Sequence, residues 1–183
     1  MMRRKDSPSQ RRRQRCEQRV RELDLPERTR LTLQQVIDRV SHRRGRAIRL
    51  VPMEITAAVE GLWVSSSDED YIVVESRLTP VHRHQVALHE LGHIICGHEG
   101  TPESIVDTSR ALLPALDPGH VRRVLGREHA DSDAELEAEL VGSLLGQRIA
   151  SWTSTRRYDV PPRARELAAR LSALMEHREP GPS

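Results

Sequence analysis

Phenylalanine is absent from the 183 residues, and tryptophan and tyrosine occur only twice each. A core built around large aromatic rings is therefore excluded, and burial must come from Leu, Ile, Val and Ala. No aromatic residue interleaves the arginines of the N-terminal segment, so stacking on single-stranded nucleic acid has no support there. Cysteine is equally sparse. Cys16 and Cys96 are too few for a disulfide framework, and one of them sits in a basic segment, which fits a reducing, cytoplasmic setting. No apolar run approaches the 18 residues of a membrane span. The basic N-terminal residues lack an apolar stretch and do not read as a signal peptide. Lysine occurs once, as Lys5, so nearly all positive charge is arginine.

What is there is unevenly spread. The net charge of +2 conceals nine Lys/Arg against two acids within residues 1–21, which leaves the remainder net negative. Residues 1–28 read as a basic arm, partly helical or disordered, separated from the rest by Pro26. So few apolar residues cannot offset ordering entropy alone. The arm reads as dispensable to the fold and as a contact for an acidic or nucleic-acid partner.

Beyond the arm the pattern becomes periodic. Apolar residues at 33, 36, 37 and 40 followed by Gly45 predict a helix over 32–45. "AIRLVPM" (47–53) reads as a strand, and 61–76 as two strands around a polar turn. Thr79 and Pro80 open a helix that runs to about Cys96, where Gly97 can end it. Residues 97–130 are less regular, with a short helix expected at 103–113. "HADSDAELEAELVGSLLGQRIASW" (129–152) predicts another helix, with Ser132 and Glu135 in a capping-box pattern. Residues 161–179 predict a last helix. The order argues for an α+β fold, with a small antiparallel sheet of about three strands packed against a helical bundle. The domain spans 29–155, and 156–183 form a C-terminal helix packed on it, ending in a disordered tail.

Chemistry concentrates in "HELGH", positions 89–93. His89 and His93 lie four residues apart on the helix, so both imidazoles leave one face about a turn apart. That spacing suits two zinc ligands. Glu90 points to the same opening and can act as general base on a water at the metal. Leu88, Leu91 and Ile95 would anchor the helix. A catalytic zinc needs a third protein ligand and an open position. The candidates are Glu135, Glu137, Glu139, His98, Cys96, His120 and His129. Glu135 is accounted for by capping, and Glu139 shares its face with Gly142, Ser143 and Gly146. Glu137 lies with Leu140, Val141 and Leu144, where a carboxylate is costly unless paired or metal-bound. Glu137 is therefore read as the third ligand, with Glu139 and the histidines as alternatives. Cys96 reads as a small buried hydrophobe, and His98 as a cap or support. Tyr71, His82 and His84 are candidates for stabilising an oxyanion.

"HELGHIICGH" together with "ELEAELVGSLL" resembles the ImmA/IrrE family of bacterial metallopeptidases, over roughly residues 32–150. The family shows HELGHxxLxH followed by Glu-x-Glu-Ala-Asn-x-Phe-Ala-x-x-Leu-Leu. The resemblance implies a zinc endopeptidase that cleaves a regulatory protein, with Glu137 at the third-ligand position. It also implies a helix-turn-helix repressor as substrate or partner. No helix-turn-helix is found in this chain, so such a repressor would be encoded separately. Glu139 and Val141 depart from the usual Asn and Phe, Gln85 stands where an aromatic is common, and "LLGQ" replaces "LLMP". These departures bear on substrate recognition. The competing expectation is a non-enzymatic regulator or toxin-type component that keeps zinc for structure and acts by binding a partner. An intact Glu90 argues against it, because a structural site needs no base.

Overall fold

The computed structural model describes residues 7–26, 29–54, 60–66, 69–98, 121–125 and 132–150, with positions 162 and 165 in addition. The expected helices at 103–113 and 161–179, the C-terminal tail, His120 and His129 lie outside the described residues, apart from those two isolated positions. Among the described residues, four helices and a small mixed sheet make an α+β fold. In chain order they are α1 (Pro8–Glu22), α2 (Leu33–Arg44), β1 (Ala47–Met53), β2 (Gly61–Ser66), β3 (Glu69–Glu75), α3 (Pro80–Cys96), β4 (Val121–Leu125) and α4 (Ser132–Gly146).

Local chemistry sets the helix boundaries. Ser7 with Gln10, and Thr32 with Gln35, form reciprocal capping boxes that satisfy backbone donors at the starts of α1 and α2. Thr79 caps α3 ahead of Pro80. Gly97 closes α3 in the left-handed conformation, φ 70°, which costs a glycine little. Its neighbour His98 donates its backbone N–H to the His93 carbonyl at 3.1 Å, and this fixes where His98 leaves the helix.

The strand order is β1-β3-β2-β4. The expected antiparallel sheet is corrected to a mixed one. β2 and β3 form the expected hairpin, but β3 also pairs in parallel with β1, from Ala47 opposite Glu69 to Met53 opposite Glu75. β3 therefore runs centrally. Its burial is continuous from Asp70 to Glu75, and this matches the unbroken apolar run Tyr71-Ile72-Val73-Val74. β1 alternates exposed and buried residues at its start, as suits a strand with one face covered there. β4, within the segment read as irregular, adds to the far edge of β2, with a register shift at Ser65/Ser66.

The helices close over this sheet. Trp63, Ile37, Leu88, Leu91, Leu145 and Ile149 are among the most deeply buried side chains. Leu88 and Leu91 anchor α3 as expected, with Ile94 more buried than Ile95. A bridge between Leu31 and Ile149 ties the approach to α2 to the chain leaving α4.

The segment before position 29 is where the expected boundary gives way. Cys16 on α1 is fully buried, and Leu23 just after the helix is nearly so. Val20 and Leu25 pack against the same core. Arg12 pairs with Asp133, and Arg15 and Arg19 pair with Glu137, all on α4. A sparse apolar face of Cys16, Val20 and Leu23 suffices because the arginines beside it find carboxylates.

Candidate metal centre

α3 and α4 lie antiparallel and unusually close. A Cβ added at Gly92 would sit 2.9 Å from the Ala138 Cα, and one at Gly142 would sit 3.1 Å from the Leu88 carbonyl oxygen. Small residues on both helices thus let the backbones touch. The face of α4 carrying Ala138 and Gly142 is the one that meets α3. Glu135 lies one turn before Ala138 and two before Gly142, so its side chain reaches the histidines of α3.

The His89 and His93 Nε2 atoms are 3.1 Å apart. Glu135 spans both, with Oε2 3.3 Å from His89 Nε2 and Oε1 3.2 Å from His93 Nε2. One atom from each of the three groups lies within 4.8 Å of the others. Two imidazole nitrogens and one carboxylate are a donor set that zinc accepts, and the open side of the cleft leaves room for a fourth position. His93 is buried and titrates far below its ordinary value, at about 3. Burial is the main cause, followed by the charges of His89 and His98. Its ring is therefore neutral near pH 7, the form that ligates.

The cluster opens on a cleft of about 920 Å³ between α3, α4 and the start of β2. That is near the upper end of the roughly 300–1,000 Å³ seen for ligand sites. Glu90 lines it and is 7% exposed. A Cβ at Gly61 would come 2.2 Å from Val86 Cγ1 and 3.7 Å from Glu90 Oε1, so the glycine that begins β2 lets the strand lie close against α3 beside this carboxylate. Gly142, Ser143 and Gly146 line the cleft from α4, and Glu139 sits 3.7 Å from His89 Nδ1. Of the three candidate oxyanion stabilisers only His82 lines the cleft, where it pairs with Glu60 at 3.2 Å. The Tyr71 hydroxyl donates to Glu69 at 2.6 Å, and His84 is buried away from the lining. Arg30, not anticipated from the sequence, adds a guanidinium to the rim.

No protein-family model matches the chain, and no curated protein or solved structure matches it.

Glu137 does not join the histidine pair, and this corrects its assignment as the third ligand. Residues two apart on a helix point about 200° apart, so Glu135 and Glu137 cannot share a partner. Arg15 donates to Glu137 Oε1 at 2.7 Å and Arg19 to Oε2 at 3.0 Å. The cost of a carboxylate among apolar neighbours is real, but pairing offsets it here. Burial pushes the Glu137 carboxyl up, yet hydrogen bonds from Arg15 and His98 and the charges of both arginines bring it below its usual range. Glu135, set aside as a capping residue, is the carboxylate that turns to the histidines.

Cys16, which is fully buried, forms a second convergent group with the partly buried Cys96 and Glu137. The group suits a cation poorly. Both Glu137 oxygens already accept from guanidinium groups. Burial raises both thiols, Cys96 to about 11, so neither offers a thiolate near pH 7. Sequence spacing carried a usable sign of the true arrangement: Ala138, Gly142 and Gly146 form a small-residue line on α4, and Glu135 lies on its extension.

Proposed function

We propose that the chain is a zinc-dependent endopeptidase of the cytoplasm, acting on a regulatory protein such as a separately encoded helix-turn-helix repressor. The observation that carries the reading is the convergence of His89, His93 and Glu135 on a cleft that Glu90 also lines. The resemblance of "HELGHIICGH" to the ImmA/IrrE metallopeptidases supports the substrate class. Two free cysteines suit a reducing compartment. No helix among the described residues is long and apolar enough to cross a membrane.

In this reading His89, His93 and Glu135 hold the ion. Zinc, when bound, supplies a Lewis-acid position that polarises a peptide carbonyl and makes water a better nucleophile. Glu90 does the proton work. Its carboxylate takes a proton from the attacking water and passes it to the leaving amine nitrogen, so one side chain serves as base and then as acid. The wall of β2 and the glycine-lined face of α4 bound the space in which an extended peptide lies.

The test is co-expression with the products of neighbouring genes, wild type against Glu90→Gln. The amide keeps the shape and removes the base. We expect a cleaved partner with wild type only, a rate about 10²–10⁴-fold lower for the variant, and zinc content unchanged. A Glu90→Gln protein with the full biological effect would favour a non-enzymatic regulator that keeps zinc for structure.

A further inference from the structure

Behind His93, on the side away from the cleft, runs a chain of polar contacts that the ligand set does not require. His93 Nδ1 lies 3.0 Å from His98 Nδ1. His98 Nε2 lies 3.5 Å from Glu137 Oε2. Glu137 is held in turn by Arg15 and Arg19. The His93, His98 and Glu137 side chains are only 4%, 13% and 12% exposed, so water does little to blur the polarity of the chain.

With both rings neutral, that polarity has one consistent solution. Two Nδ1 atoms at hydrogen-bond distance carry one proton between them. If His98 carried it, a neutral His98 would turn a bare Nε2 lone pair toward the Glu137 carboxylate, and a neutral His93 would turn an N–H toward the ion position. A carboxylate can only accept, and two guanidinium groups keep this one charged. His98 therefore donates Nε2–H to Glu137 and accepts at Nδ1 from His93 Nδ1–H. The Nε2 lone pair of His93 then faces His89 and Glu135.

We propose that His98 is a positioning residue which, anchored through Glu137 by Arg15 and Arg19 of α1, fixes the tautomer and ring orientation of His93 as a metal ligand. The proposal rests on the metal-site reading above. It gives the arginines of the N-terminal segment a use: they hold by both oxygens the carboxylate at the far end of a relay that reaches His93. Outer partners of ligating histidines raise ligand basicity and hold the ring. The arrangement differs from the common form only in placing a second imidazole between the ligand and the carboxylate.

The experiment measures Zn²⁺ affinity by competition with a chromophoric chelator, and the visible spectrum of the Co²⁺-loaded protein, for the full chain and its variants. His98→Ala should weaken Zn²⁺ binding by about 10–100-fold, the usual effect of losing an outer partner, and should shift the Co²⁺ bands. His98→Gln should recover most of the affinity, because its amide can accept from His93 and donate to Glu137. Glu137→Gln should fall between them. Wild-type affinity and spectrum in His98→Ala, or no recovery in His98→Gln, would overturn the proposal. If His98→Ala does not fold, Glu137→Gln decides: unchanged affinity and bands overturn the proposal. His89→Ala separates the two readings. If it binds Zn²⁺ as tightly as wild type, the metal site itself falls and the relay with it. If it loses Zn²⁺ while His98→Ala does not, only the relay falls.

Discussion

Glu135 and Glu137 stand two positions apart on one helix and have opposite surroundings. Glu135 is about one-third exposed and faces two imidazoles across a cleft. Glu137 is nearly buried and faces two guanidinium groups and His98. The residue type is the same, and the difference comes from which helix each one meets. α3 arrives on one side of α4 through glycine contacts, and α1 arrives on the other through arginines. A buried carboxylate thus announces a cation without saying which kind. Here the more buried acid takes the guanidinium groups, and the more exposed acid faces the imidazoles.

Removing α1 breaks the comparison most severely. A chain beginning at Thr29 loses the burial of Cys16 and Leu23 and leaves Glu137 without its arginines. A fully buried leucine alone contributes about 1.5–3 kcal/mol, far more than the roughly 0.5 kcal/mol of an ordinary surface change. We expect a large drop in melting temperature and loss of zinc from the truncated chain. Retained melting temperature and zinc would show that the segment is an independent arm.

Next in size is the direct exchange of roles. Glu135→Ala should reduce Zn²⁺ affinity by more than the roughly 10–100-fold expected of an outer partner and leave folding nearly unchanged. Glu137→Ala should stay within that range and also lower stability, because Arg15 and Arg19 lose their partner at a partly buried site. Isothermal titration beside thermal melts separates the two patterns. A Glu137→Ala protein that binds no zinc, with Glu135→Ala binding normally, would restore the assignment read from the sequence.

The smallest change is one methyl group. Gly92→Ala places a Cβ against the Ala138 backbone, where relief requires the two helices to part. Overpacking of this kind costs about 1–3 kcal/mol. Because Glu135 reaches the histidines only through that close approach, zinc affinity should fall together with the melting temperature. A variant that melts as wild type would mean that the helices have slack.

Much of the fold was legible in the sequence because its signals are local. The spans of β1 and α3, the Thr79-Pro80 start, the Gly97 stop and the β2–β3 hairpin rest on period, caps and turns within a few residues. What escaped is non-local. The parallel pairing of β1 with β3 depends on β3 inserting between β1 and β2, and no local pattern encodes that. β4 lies in a segment with no clean alternation. In the site, His89, Glu90 and His93 came from spacing on a single helix. Which carboxylate meets the histidine pair depended on which face of α4 meets α3. Counting apolar neighbours favoured Glu137, whereas the small residues at 138, 142 and 146 marked the meeting face. The arginines of α1 read as part of a dispensable arm because their carboxylate partners lie 118–122 positions away.

That separation has a consequence in time. During synthesis α1 leaves the ribosome well before the carboxylates it pairs with. At about 5–20 residues per second, a gap of 118–122 residues takes roughly 6–24 s. Through that interval Cys16 and the arginines have no α4 to dock on, and Glu135 has not yet reached His89 and His93. The clasp between α1 and α4 is thus among the last contacts to form in a nascent chain, and the meeting of Glu135 with His89 and His93 is delayed with it.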